Sequence, residues 1–154
     1  MLIQKENILA SIIDLQKHPI NEDYFREKCK AELDKSGVLV LDNFLFKSSI
    51  KSILAEAKAQ ENLAYYCVNE HNVYLEPFDN NLSKSHPRKK TVSRSKGCIT
   101  DDQVPKKSSL RALYNEPTFK GFLCAVLGET VLYKYNDNLS SINIHFAKEG
   151  QELG

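Results

Sequence analysis

No stretch of this chain is apolar enough for a bilayer, and neither sign of charge dominates it. The opening MLIQKENILASIIDLQ is broken by Lys5, Glu6 and Asp14, which excludes a signal-peptide core and a spanning helix of about 20 apolar residues. The reading is a soluble, cytoplasmic protein with no membrane partner. Lys and Arg number 21 against 20 Asp and Glu, for a net charge of +1, so no global field draws the chain onto a polyanion and any such binding is local. Cys29, Cys67, Cys98 and Cys124 are widely spaced, without a C-x-x-C pair or a His at ligand spacing. That pattern indicates neither a zinc site nor a disulfide framework. Phosphate-cradling G-x-x-x-x-G-K-[ST], dinucleotide G-x-G-x-x-G, nucleophile-elbow G-x-S-x-G and zincin H-E-x-x-H motifs are all missing, which removes the chemistries they carry.

What is present suffices for a core. With 42% apolar and 27% charged residues over 154 positions, the composition is that of one globular domain spanning 1–154. Residues 3–15 carry Ile3, Ile8, Ile12, Ile13 and Leu15 at helical spacings, and His18-Pro19 ends that segment because the residue before Pro leaves the α region. Asn21 is placed to cap a helix in which Phe25, Cys29 and Leu33 recur every four residues until Gly37 stops it. VLVLDNF, 38–44, reads as a buried strand, and Ser48 or Ser49 caps a further helix carrying Ile50, Ile53, Leu54 and Ala57.

Ala64 to Leu75 is rich in Tyr and Val and reads as two short strands or an extended arm with a turn. Across 77–109 periodicity is lost among Pro77, Pro87 and Pro105 and a basic cluster, and the whole stretch reads as one long lid loop. Regularity returns where Ser108-Ser109 cap LRALY and Pro117 opens FKGFLCAVL, closed by Gly128. Val131–Tyr135 and Ser140–Phe146 then alternate as strands. The final INIHFAKEGQELG reads as a strand, a Gly turn and the start of another strand, a hairpin whose sheet edge is unfinished and open to self-association. Helices first and strands gathering late imply an α+β fold.

Three polar patterns are candidates for function. The run HPRKK…SRSK, 86–96, is either a solvated loop or a phosphate grip, and its lack of aromatic residues argues against a single-strand platform. Within it Arg88 or Arg94 could take a substrate carboxylate in bidentate fashion. In His71-Asn72-x-Tyr74 the two-residue period puts Asn72 and Tyr74 on one face and His71 on the other, as a pocket wall or a hydrogen-bonded surface strand. In 141–146, Ile142, Ile144 and Phe146 share one face while Ser141, Asn143 and His145 share the other, as in a strand with one wet face or the wall of a barrel-mouth pocket.

Taken together, these residues resemble the non-haem Fe(II)/2-oxoglutarate oxygenases of the double-stranded β-helix type, and most of all their HalD/ArpA-like branch. The resemblance runs through His18-Pro19, Cys29 with Leu33, Gly37 to Phe44, His71 to Tyr74, Asp101-Asp102, Leu110 to Pro117, Leu127-Gly128 and the strand before Gly150. It implies N-terminal helices packed on the first strands of a jelly-roll (cupin-like) core, truncated at the C-terminus, with the metal-binding histidine-x-aspartate pair falling just past Gly154.

The same resemblance implies small amino-acid-like substrates, hydroxylated or halogenated, with Fe(II) and 2-oxoglutarate as cofactors of the complete protein and none held by this chain alone. It points to His71, Asn72, Tyr74, Asp102 and Arg111 as substrate contacts and to Asn143 and His145 as neighbours of the cofactor. It assigns no metal ligand here. Ala147 stands where many such oxygenases carry a cofactor-binding tyrosine, which leaves Asn143 or His145 for that role. The reading from a different class is a non-catalytic module that applies the basic loop 86–96 to nucleic acid or an acidic partner. A nucleic-acid partner is the less expected of these.

Overall fold

In the computed structural model residues 8–137 and 139–151 are described. Two apolar clusters organise the chain. The first is helical. A short helix α1 (Ile8–Ile12) buries Leu9 and Ile12, and α2 (Asp23–Ser36) buries Phe25 and Cys29, the four-residue repeat seen in the sequence. The α5 helix (Pro117–Leu127) supplies Phe122 and Val126, and the Phe25 and Phe122 rings stack with centroids 6.1 Å apart. Both α2 and α5 end as their sequences require. Gly37 and Gly128 sit at φ 73° and 72°, a left-handed conformation that would strain a residue with a Cβ.

Cap positions are partly as expected. Ser108 accepts from the Leu110 amide and opens α4 (Ser109–Tyr114), and Glu116 accepts from Thr118 ahead of Pro117. Asn21 does not cap α2: its amide donates to Glu22 Oε1 at 2.9 Å, and Glu22 holds the cap position. Helix α3 (Lys47–Ala59) starts before Ser48. Ser49 is buried in its first turn and donates to the Ser11 carbonyl at 3.3 Å.

The segment 38–44 is not a strand. Its alternation survives, with Leu39 and Leu41 against the helical cluster and Val38 and Val40 exposed, but no described segment lies alongside to form a ladder. Asn43 turns the chain at φ 57°, and pairing is confined to one bridge between Ile13 and Leu45. His18 anchors this segment instead: it is buried, its Nε2 lies 3.1 Å from the Asp42 carbonyl, and its ring meets Phe44 edge-on at 5.5 Å.

The strands form a small antiparallel sheet, ordered β1 (Tyr65–Asn72), β2 (Thr91–Ile99), β3 (Ile144–Phe146). Its central strand falls within 77–109, the stretch read as loop. TVSRSKGCI carries polar side chains on both faces, so no apolar alternation betrays it, and its partner β1 decides the matter by pairing from Tyr65 with Cys98 to Asn72 with Thr91. A loop with one 3-10 turn, Pro87–Lys89, remains ahead of it. Conversely, 131–135 forms no strand, and the expected strand at 140–146 shrinks to β3. There Asp137 accepts from the Leu139 amide and the Ser140 hydroxyl, and Ser141 donates to the Tyr135 carbonyl, folding the chain into a turn.

The second apolar cluster, Ile99, Val104 and Ile142 with Leu110, Tyr114, Ile144 and Phe146, fills the space between sheet and α4. The result is a mixed helix and sheet fold with the strands split around α4 and α5, rather than helices first and strands last. No helix among the described residues is long and apolar enough to cross a membrane. Phe122 is 2% exposed between α2 and α5, so Phe122→Ala is expected to lower stability by about 3–5 kcal/mol, read as a drop in the urea midpoint with an unchanged slope.

Candidate functional site

One face of the sheet is dry only at its Ile99 end, since farther along β1 the same face exposes Tyr66 and Val68, and the residues of β2 alternate between this face and the opposite, open one. Ile99, Ile144 and Phe146 point into the second apolar cluster. Cross-strand partners share a face, so the register places Tyr65, Cys67, Asn69 and His71 of β1, Val92, Arg94, Lys96 and Cys98 of β2, and His145 of β3 together on the other side. That face carries two permanent cations and no carboxylate. Neither Arg94 nor Lys96 forms an ion pair with a described carboxylate, and Arg94 is steadied by donating from Nε to Asn69 Oδ1 at 3.2 Å.

His145 and Cys98 are register partners on this face. Burial, and then the positive charges of Lys96 and Arg94, hold the His145 imidazole below its ordinary value, so it is neutral near pH 7 and able to donate or accept one hydrogen bond. Burial raises the Cys98 thiol; Lys96 opposes that shift and Cys67 adds to it. The Cys98 thiol is therefore protonated and poorly nucleophilic. The arrangement is a positively charged, partly desolvated surface suited to a small anion.

The residues singled out in the sequence meet different fates. His71 and His145 share the open face, but their partners Val92 and Cys98 are six positions apart, about 20 Å along a strand. They do not form one contact site. His71 is half-buried with an enclosed Nδ1 that has no partner. Asn72 is buried and committed to the backbone: Oδ1 accepts from the Tyr74 amide at 3.0 Å, and Nδ2 donates to the Glu76 carbonyl at 2.8 Å. It builds the turn after β1, while Tyr74 lies exposed on that turn.

Asp102 is also exposed, accepting from the Thr100 hydroxyl at 2.6 Å. Its neighbour Asp101 is the buried acid. Arg111 Nη1 pairs with Asp101 Oδ1 at 2.7 Å, and Nη2 donates to the Asp101 and Val104 carbonyls. Arg111 thus joins α4 to the turn after β2. Asn143 is exposed, and with its side-chain amide oriented so that the nitrogen donates to the Leu139 and Ile142 carbonyls at 2.8 and 3.0 Å it keeps no donor for an anion.

The basic run is divided rather than presented as one patch. Arg88 donates to the Pro77 carbonyl, and Lys89 donates to the Asn80 carbonyl while lying 5.2 Å over the Phe78 ring. Both brace the loop internally, whereas Arg94 and Lys96 belong to the open sheet face. This division speaks against the run acting as a continuous polyanion grip. Lys96, Cys67 and Cys98 were not singled out as site residues from the sequence. The signal that could have found them is the two-residue alternation of TVSRSKGCI, legible once β1 is known to pair with it.

Among the described residues no three His, Cys, Asp or Glu side chains converge as a metal site. Compared with known proteins the chain finds no match: no protein family, no curated sequence and no solved structure is significantly similar to it.

Two outcomes follow from this geometry. Arg111→Gln leaves the Asp101 carboxylate enclosed and unpaired, and is expected to destabilise the fold by roughly 3 kcal/mol, whereas Asp102→Asn at an exposed position changes stability by less than about 0.5 kcal/mol. Urea titration compares the two. For His145, a folded-state value below the unfolded one means that the unfolded chain binds the proton more readily. Stability is then fully present above about pH 6.5 and is lost as pH falls through the folded value. His145→Gln should flatten that segment of the stability–pH curve, and an unchanged curve would show that His145 is not its source.

Proposed function

We propose that the chain forms the helical buttress, a lid loop reduced to residues 77–90 and the first strands of a non-haem Fe(II)/2-oxoglutarate oxygenase, similar to the HalD/ArpA-like branch and built on a jelly-roll core. Its substrate is small and amino-acid-like, and the reaction is hydroxylation or halogenation. The observation that supports this reading best is the cationic face of the sheet. The sheet packs on α4 behind at its Ile99 end, and in front it carries the half-buried Arg94 and Lys96 beside a neutral His145 with no competing carboxylate on the face.

The two cofactors fit these residues differently. A facial iron triad needs two His and a carboxylate converging on one point, and the described residues offer no such group. A dicarboxylate cofactor suits the open face in charge. Arg94 can bind a carboxylate through its guanidinium edge, Lys96 adds a second cation, and His145 contributes one hydrogen bond. Asn143, with its amide nitrogen engaged, serves to shape the turn before β3. His71 and Tyr74, at the far end of β1 or just beyond it, remain on the substrate side of the reading, and Asn72 fixes the turn that carries Tyr74. Asp102 lies by the turn that Arg111 braces, so Arg111 acts on that part of the wall by positioning it.

In a gene product that extends beyond these residues, anaerobic addition of Fe(II) and 2-oxoglutarate is expected to produce the weak visible charge-transfer band of such complexes. Residues 1–154 alone should show none. If the longer protein neither retains iron nor develops the band, the oxygenase reading falls. If it does both, a weaker band at equal 2-oxoglutarate in Arg94→Gln/Lys96→Gln would support the open face as the cofactor wall.

A further inference from the structure

A second concavity stands apart from the sheet's open face. Between the end of α4, the first half of α5 and residues 132–134 lies a cleft of about 280 Å³, close to the lower end of the roughly 300–1,000 Å³ typical of small-molecule pockets. None of the open-face residues lines it. Its apolar and aromatic walls come from Tyr114, Phe119, Leu123, Leu132 and Tyr133. Its walls are tied together where the Tyr135 amide donates to the Tyr114 hydroxyl at 3.4 Å, and Tyr133, 85% exposed, is free to lie over a bound molecule.

The charged groups of the cleft carry one sign, and the one side-chain amide in its lining, Asn115, donates to the Arg111 carbonyl at 2.8 Å. Lys120 of α5 and Lys134 both line it, neither forms an ion pair with a described carboxylate, and the Lys134 ammonium sits 5.8 Å from the centre of the Tyr114 ring. An ammonium over an aromatic face is already partly stripped of water, which strengthens its attraction for an anion brought beside it. Phosphate recognition normally draws on free amides at a helix N-terminus as well. At α5 that position is filled, because Glu116 accepts from the Thr118 amide at 3.1 Å. The recognition available is therefore two ammonium groups at the rim and a flat apolar interior.

We propose that this cleft binds a small aromatic carboxylate, with its ring between the Tyr114, Phe119 and Tyr133 side chains and the two leucines, and its carboxylate between Lys120 and Lys134. The site is separate from the oxygenase reading and does not depend on it.

Titration of the 154-residue protein with 3-phenylpropionate and with its neutral amide, 3-phenylpropionamide, at low salt tests the proposal by NMR. The carboxylate should shift resonances of Tyr114, Leu123 and Leu132 with an affinity about five-fold above that of the amide, the scale of an exposed ion pair. Lys120→Gln/Lys134→Gln, both exposed positions, should abolish that preference while leaving the spectrum otherwise folded. Equal affinity for acid and amide would overturn the assignment of the lysines. Shifts scattered over other surface lysines, or no shifts at all, would overturn the site.

Discussion

The ion pair between Arg111 and Asp101 is the constraint on which the two halves of the fold depend. Helix α4 serves both apolar clusters: Ala112 and Leu113 face the helical one, while Leu110 and Tyr114 belong to the one beneath the sheet. Arg111 lies between these residues in sequence. Its guanidinium grips the turn that ends β2 through the Asp101 carboxylate and the Asp101 and Val104 carbonyls. The same turn is closed by the reciprocal Thr100 and Gln103 caps, and Gln103 reaches the Leu63 carbonyl just ahead of β1. One arginine therefore sets the height of the sheet over the helices. The low exposure of the pair, 19% and 11% for the two side chains, keeps that grip from being screened as a surface salt bridge would be.

A sheet held in this way can afford one face without cover. At its Ile99 end the dry face is sealed against α4 by Ile99, Ile144 and Phe146. The other face is then free to carry groups that a core could not, namely Arg94, Lys96 and two thiols beside a neutral imidazole. Partial desolvation and a surplus of positive charge from Lys96 and Arg94 both disfavour protonation of His145, so the two effects reinforce each other. Gly97, on the dry side of β2, lets the Tyr66 ring lie across the backbone: a Cβ there would stand 2.7 Å from that ring. Tyr66 in turn receives the Lys148 ammonium at 5.2 Å, which binds the segment after β3 back to β1.

Much of the helical part was legible in the sequence, and little of the sheet was. Phe25 and Cys29 at four-residue spacing, Gly37 and Gly128 as stops, Ser108 as a cap and Pro117 at a first turn are local signals, and the structure honours each of them. The strand errors share one cause. VLVLDNF is strongly β-prone and 131–135 alternates, yet neither forms a ladder with a described strand. TVSRSKGCI is weakly β-prone and is the centre of the sheet because YYCVNEHN lies beside it. Among the candidate site residues, alternation correctly separated His145 from Ile144 and Phe146. It could not foresee that Asn72 would spend its amide on a turn, that Asn143 would do the same, or that Asp101 rather than Asp102 would meet Arg111.

By itself, then, the sequence determined where α2 and α5 stop, where α4 and α5 start, and which side chains of a strand share a face. Those properties are set within a few residues by dihedral preference, capping and side-chain period. Only the tertiary structure decided which extended segments become strands, which cations of the basic run brace a loop and which stand free on a surface, and which charges find each other. Each of these depends on partners distant in sequence. A backbone ladder or a buried ion pair is worth its desolvation only when both members arrive together.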